Sequence, residues 1–103
     1  MNRIERVKQM EKCLDVSAEA AAKLSAALDE YEAAQKQYKK LSDYYGSPQW
    51  MRDFEADEAG KLPRDLKRGV LSEDAVYDLI IENRELVIRM LRLATGALEG
   101  NVL

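Results

Sequence analysis

The sequence contains no histidine and only one cysteine, Cys13, among its 103 residues. Histidine is the commonest general base and transition-metal ligand, so this chain alone cannot build a Ser-His-Asp or Cys-His mechanism. A single cysteine also excludes an internal disulfide and a cysteine-based zinc site. We therefore expect no histidine- or cysteine-based metal site, and we assign no metal, cofactor or catalytic residue.

Long apolar runs are missing as well. No stretch approaches the roughly 20 apolar residues that a membrane-spanning helix needs, and the first residues lack the apolar core of a signal peptide. The net charge of −3 argues against a nonspecific nucleic-acid binder, which would normally be basic. The composition, 47% hydrophobic and 34% charged, predicts one folded domain over residues 1–103, which we place in the cytoplasm.

Proline, tryptophan and phenylalanine are scarce, and all of them fall between Tyr44 and Ser72, together with three of the five glycines. We call residues 44–72 the connecting segment. A plain helical hairpin reverses direction with only a few turn residues. A connection of 29 residues that is this rich in special residue types is therefore expected to have a defined structure of its own.

The pattern from about residue 2 to residue 45 predicts one long helix. Its apolar side chains recur at alternating spacings of three and four, which places them on one helical face. This face comprises Val7, Met10, Leu14, Ala21, Leu24, Leu28, Tyr31, Tyr38 and Tyr45. Gly46 suits the left-handed position that ends such a helix.

A short helix is predicted next, over about residues 48–59. Ser47 suits its N-cap, Pro48 suits its first helical position, and Gly60 would stop it. Trp50 and Phe54 are four residues apart and would share one face of this helix.

A loop over residues 60–72 follows, and we expect one helical turn after Pro63. Ser72 suits the N-cap of a third helix over about residues 73–96, which should fray after Thr95-Gly96. The apolar stripe of this helix comprises Val76, Leu79, Ile80, Leu86, Val87, Met90, Leu93 and Ala97.

These elements predict an all-α fold, an antiparallel hairpin of one long and one shorter helix bridged by a short helix and an ordered loop. At 1.5 Å per residue the long helix spans roughly 65 Å and the third helix roughly 35 Å. Roughly 20 residues at the start of the long helix would then have no cover. Because exposed apolar patches usually mark interfaces, we expect a homodimer or a helical protein partner there. The candidate interface residues are Ile4, Val7, Met10 and Leu14.

The connecting segment carries a family resemblance. The residues that carry it are Tyr44 to Ser47, Trp50, Asp53, Glu55, Asp57-Glu58, Gly60 to Pro63, Asp65 to Asp74 and Tyr77. With this pattern the chain resembles the DUF4298 family, short bacterial proteins classed as a domain of unknown function. The resemblance implies a small bacterial cytosolic helical protein, and it implies no activity, cofactor or catalytic residue.

An aromatic and basic surface is the first candidate binding site. Aromatic rings beside cationic side chains can hold a phosphate or a base. The candidates are Tyr44, Tyr45, Trp50, Arg64, Lys67 and Arg68. The alternative is that the aromatic rings fill the core where the helices converge.

Two other readings concern charge. Residues 52–58 carry a net charge of −3 and residues 61–68 a net charge of +3, so the two halves could neutralise each other and fold the loop onto the short helix. Alternatively, acidic residues at helical spacings, namely Glu55, Glu58, Asp74, Asp78, Glu82 and Glu85, could bind Mg²⁺ in a nucleotide-processing or ligand-binding protein. Acidic residues decorate most soluble helices, so the sequence favours a small interaction or regulatory protein over an enzyme.

Overall fold

The computed structural model describes residues 1–100. Within them it contains three α-helices, α1 (Arg3–Tyr44), α2 (Pro48–Glu58) and α3 (Ala75–Glu99), and a 3₁₀ turn at Gly69–Leu71. No strand occurs in this part of the chain, and the predicted all-α fold class is confirmed. The antiparallel packing of the two long helices stays a prediction.

The described chain divides into two compact units. Residues 1–38 form the first unit, which is a single stretch of helix. The second unit begins at Lys39 and contains the last turns of α1, the whole connecting segment and α3. The candidate interface residues belong to the first unit, and the candidate binding residues belong to the second.

Local hydrogen bonds explain where α1 begins and ends. Asn2 caps its start, because the Asn2 Oδ1 atom accepts a hydrogen bond from the backbone N–H of Glu5 at 2.8 Å. At the other end Gly46 adopts φ +77°, a left-handed conformation that costs glycine little and most other residues more. No residue of α1 is buried.

The boundaries of α2 follow from its caps. The Ser47 hydroxyl accepts a hydrogen bond from the backbone N–H of Trp50 at 3.1 Å, and Pro48 occupies the first turn, where its missing N–H is not needed. After the last turn Gly60 adopts φ +71°. The backbone N–H groups of Gly60 and Lys61 donate to Asp57 and Ala56, which is the Schellman arrangement at a helix C-terminus.

Two details of the sequence prediction around α3 are wrong. Ser72 is not its N-cap, because the helix begins at Ala75 behind Asp74. The Ser72 hydroxyl instead donates to the Gly69 carbonyl at 2.8 Å and accepts from the Ala75 N–H at 3.2 Å, so it joins the 3₁₀ turn to the helix. The helix also continues through Gly96 to Glu99, since one glycine lowers helix propensity without ending the hydrogen-bond ladder.

The core of the second unit lies where α2, the 3₁₀ turn and the first turn of α3 meet. Among the described residues the buried hydrophobic side chains are Trp50, Leu71 and Val76, one from each of these elements. The Trp50 indole N–H donates to the Val70 carbonyl at 2.9 Å. Its ring stacks on Phe54 with 5.2 Å between centroids and meets the Tyr45 ring edge-on at the same distance. Each such ring pair contributes about 0.5–1.5 kcal/mol beyond burial.

We predict that Trp50→Ala lowers the free energy of unfolding by about 3 kcal/mol or more, the usual cost of removing a buried tryptophan. Far-UV circular dichroism during urea denaturation measures this loss without needing the tryptophan fluorescence. Met51→Ala is the matched control, because Met51 is the next residue of α2 and is exposed. Equal losses in the two variants would contradict the assignment of Trp50 to the core.

Candidate functional site

The six candidate binding residues all lie in or beside the connecting segment. Tyr44 ends α1, Tyr45 follows it and Trp50 lies in α2, whereas the three cationic residues lie in the loop before and at the 3₁₀ turn. The structure brings Tyr45 and Trp50 into ring contact, and Tyr44 bonds to Asp53 instead. Of the three cationic members, Arg68 forms an ion pair, and Arg64 and Lys67 form none among the described residues.

Trp50 serves packing in this arrangement. It is 8% exposed, its two ring contacts are with Tyr45 and Phe54, and its N–H group already has an acceptor. A stacking platform needs an exposed ring face. The geometry therefore favours the alternative in which the aromatic residues fill the core.

Tyr44 and Asp53 form a contact that the sequence prediction missed. The Tyr44 hydroxyl donates to the Asp53 Oδ2 atom at 2.6 Å, which ties the end of α1 to the middle of α2. This hydrogen bond raises the pKa of Tyr44 to about 12, with smaller contributions from burial and from the negative charge of Asp53. The sequence offered one signal for this contact, the turn expected at Gly46. Residues nine apart, such as Tyr44 and Asp53, can meet only if α2 folds back at that turn.

Tyr45 connects the end of α1 to the approach to α3. Its hydroxyl donates to the Glu73 carbonyl at 3.3 Å, and its ring lies against Trp50. One residue thus contacts both the aromatic core and the backbone that precedes α3. This is a structural role for a residue that was a candidate for ligand binding.

Arg68 fastens the loop to α2. Its guanidinium group forms an ion pair with Asp57 and also donates to the backbone carbonyls of Pro63 and Leu66. The planar guanidinium suits this task, because its five N–H groups point in fixed directions toward several acceptors. Arg68 is 35% exposed and Asp57 is 17% exposed, so water screens this pair less than a pair on the open surface.

The predicted neutralisation of the two charged halves therefore takes place through one ion pair. Within the described residues, Lys61, Arg64 and Lys67 form no ion pair. The sequence showed that opposite charges were available on the two halves but not which of the four cations would be used.

Lys67 lies beside two open clefts. The first, of about 390 Å³, is lined by Leu41, Lys67, Gly69, Val70, Ala75, Val76 and Leu79. The second, of about 310 Å³, is lined by Tyr44, Asp53, Leu62, Leu66, Lys67, Val70 and Leu71. Both clefts are mainly apolar, so they offer a contact surface and no arrangement of acid, base and nucleophile.

The carboxylates do not converge in the part of the chain that the structure describes. No group of three or more aspartate, glutamate, cysteine or histidine side chains there could hold a metal ion. The Glu-x-x-Glu spacings at residues 55–58 and 82–85 thus lack a third ligand nearby. The geometry gives the magnesium-dependent alternative no support.

The four candidate interface residues are strongly exposed on α1. Ile4, Val7, Met10 and Leu14 are 67%, 54%, 53% and 60% exposed. Leu24 and Leu28, further along the same face, are exposed as well. The part of the predicted stripe from Ile4 to Leu28 is thus an uncovered apolar surface of the first unit.

Exposed apolar side chains also occur along α3. They are Tyr77, Leu79, Ile81, Leu86, Val87, Ile88, Met90, Leu91, Leu93 and Leu98. Within residues 1–100 no helix combines the length and the apolarity that spanning a bilayer would require.

Comparison with known proteins identifies one family. The model of the DUF4298 family, described as a domain of unknown function, matches residues 7–93, which is most of the chain. No curated protein and no solved structure matches the chain.

We predict that Arg68→Ala lowers the free energy of unfolding by about 1–2 kcal/mol, because it leaves Asp57 and two backbone carbonyls without their donor. Arg64→Ala is the matched control, since it removes an arginine from the same loop that forms no ion pair among the described residues, and it should change stability by less than about 0.5 kcal/mol. Urea denaturation of both variants measures the difference. Identical midpoints would contradict the proposed role of Arg68.

We predict that Tyr44→Phe destabilises the protein by about 1 kcal/mol near pH 8 and that this difference disappears at high pH. The raised pKa means that the folded state keeps the phenol proton between about pH 10 and 12, where the unfolded state releases it. The contribution of Tyr44 is therefore complete below pH 10 and is lost as the pH rises toward 12.

Urea midpoints of wild type and Tyr44→Phe, taken at several pH values from 8 to 12, check this prediction. Tyr77→Phe is the control at pH 8, because Tyr77 is exposed and has no hydrogen bond among the described residues. A gap between wild type and Tyr44→Phe that stays constant up to pH 12 would overturn it.

Proposed function

The chain belongs to the DUF4298 family, and from its exposed helix faces we propose that it is a small bacterial cytoplasmic protein that acts through protein–protein interaction, as an adaptor or regulator. The N-terminal half of α1 is the surface that its helical partner covers. The observation that carries this proposal is the uncovered apolar face of the first unit.

The energetics favour a covered face. Full burial of one large aliphatic side chain contributes about 1.5–3 kcal/mol. Val7, Met10, Leu14, Leu24 and Leu28 are 43–60% exposed, so covering them offers on the order of 5 kcal/mol from this chain, and the apolar face of the partner adds its own burial against the estimated 4–15 kcal/mol cost of association. A partner that buries this face can thus bind with useful affinity.

The alternative, a ligand-binding or magnesium-dependent protein, makes other demands. It needs a cavity with a few convergent polar groups. The clefts beside Lys67 are open and mainly apolar, and the most engaged cation of the loop, Arg68, already has three acceptors within the protein. These features support interaction through helix surfaces instead.

We predict that wild type associates at tens of micromolar and that Leu14→Glu abolishes this association, because it places a charge in the apolar face. Val16→Glu is the matched control: Val16 is an exposed aliphatic residue of the same helix that lies outside the apolar face. Sedimentation velocity of the three proteins checks the prediction, and circular dichroism verifies that all three remain helical.

A strictly monomeric wild type would exclude the homodimer. The proposal would then require a different protein as partner, which wild type and Val16→Glu capture from the native host and Leu14→Glu does not. Equal capture by all three variants, or capture by none, would overturn the proposed role of this face.

A further inference from the structure

We infer that the apolar face of α1, which comprises Val7, Met10, Leu14, Leu24 and Leu28, packs against the same face of a second copy of the chain. The two helices run antiparallel, and the two-fold axis that relates them lies level with residue 19. This inference rests on the proposed function, because it names the occupant of the same face. In such a pair, residues of the two copies lie level when their numbers add up to 38. Two independent observations support this arrangement: the apolar face selects the register, and the charge distribution selects the antiparallel direction.

The apolar face alone selects this register. Met10 of one copy lies level with Leu28 of the other, Leu14 with Leu24, and Ser17 with Ala21. All four of the large side chains in these layers are exposed in the single chain. Moving one copy by seven residues in one direction brings Leu14 level with Ser17, and moving it by seven in the other direction brings Met10 level with Gln35. In both cases fewer large apolar side chains meet.

The charge distribution selects the antiparallel direction. Residues 3–12 hold four basic and two acidic side chains, a net charge of +2, whereas residues 29–32 hold three acidic side chains, a net charge of −3. A parallel pair places like charge beside like charge at both ends. An antiparallel pair in the register above places the basic segment of each copy against the acidic segment of the other.

Individual charged side chains also face opposite charges across the antiparallel pair. Arg6 lies on the same side of the pair as Glu30 of the second copy, and Lys8 lies on the same side as Glu32. Each of these pairs differs from the level position by two residues, or about 3 Å along the axis. Long charged side chains beside the apolar face can bridge that offset.

The residues near the axis are small. Ser17, Ala18, Ala20 and Ala21 allow two helix backbones to approach closely, because helix separation depends on the side chains at the contact. Glu19, the residue level with the axis, faces away from the pair and forms an ion pair with Lys23 of its own chain at 3.0 Å. The centre of the pair therefore contains no facing like charges.

The single cysteine makes the geometry testable. In the antiparallel pair, the Cys13 residues of the two copies lie about 18 Å apart along the axis, whereas Cys13 lies within about 3 Å of the level of Ala27 of the other copy and on the same side. In a parallel pair in register, the two Cys13 residues would instead lie at the same level along the axis. Cys13 and Ala27 are both exposed in the single chain, so a thiol at either position is accessible to the reagent.

We therefore test crosslinking with a short bis-maleimide reagent and denaturing gels. Ala27→Cys, which keeps Cys13, should give a covalent dimer. Wild type, with Cys13 alone, should give none, and neither should the double variant Cys13→Ser with Ala27→Cys, whose two thiols lie about 24 Å apart along the axis. Val16→Cys, which lies outside the apolar face, controls for random collisions.

The outcomes separate the inference from the proposed function. A covalent dimer of wild type through Cys13 would overturn the antiparallel geometry in favour of a parallel pair. Crosslinking of Ala27→Cys no stronger than that of Val16→Cys would overturn the register. In both cases a loss of association in Leu14→Glu would still support the α1 face as an interaction surface.

Discussion

The hydrogen bond from the Trp50 indole to the Val70 carbonyl is the contact on which the second unit depends. It joins α2 to the 3₁₀ turn, and Ser72 joins that turn to the start of α3. The Trp50 side chain is buried, and a buried N–H group without an acceptor costs about 1–3 kcal/mol, so this one contact fixes both the ring and the loop that covers it. Tyr44, Tyr45 and Arg68 then attach the surrounding segments to the same centre.

The helices and their caps could be predicted because their causes are local. Gly46 and Gly60 take positive φ where the sequence suggests left-handed positions, and Ser47 caps α2 through its own hydroxyl. Each of these features depends on residues within one helical turn. The same reasoning wrongly assigned Ser72 as the N-cap of α3. Its hydroxyl has two partners, and the 3₁₀ turn that provides one of them was not recognisable from the sequence.

For the candidate site, the sequence predicted the type of interaction but not which residues form it. Opposite charges on the two halves of the connecting segment indicated an ion pair, but the choice of Arg68 depends on where the Pro63 and Leu66 carbonyls point. The contact between Tyr44 and Asp53 depends on the angle between α1 and α2 at Gly46. Such angles are set by tertiary packing, which a pattern of residue types does not encode at the level of single atoms.

The two units differ in how their apolar side chains are satisfied. The second unit buries Trp50, whereas the side chains from Ile4 to Leu28 on the apolar face of the first unit are exposed. The Asn2 cap contributes about 1 kcal/mol and the ion pair between Glu19 and Lys23 about 0.3–0.5 kcal/mol. Burial of a single leucine of its apolar face exceeds the ion pair several-fold. Tertiary packing supplies most of the stability of helices in proteins, so burial of this exposed face is the largest stabilisation still open to the first unit.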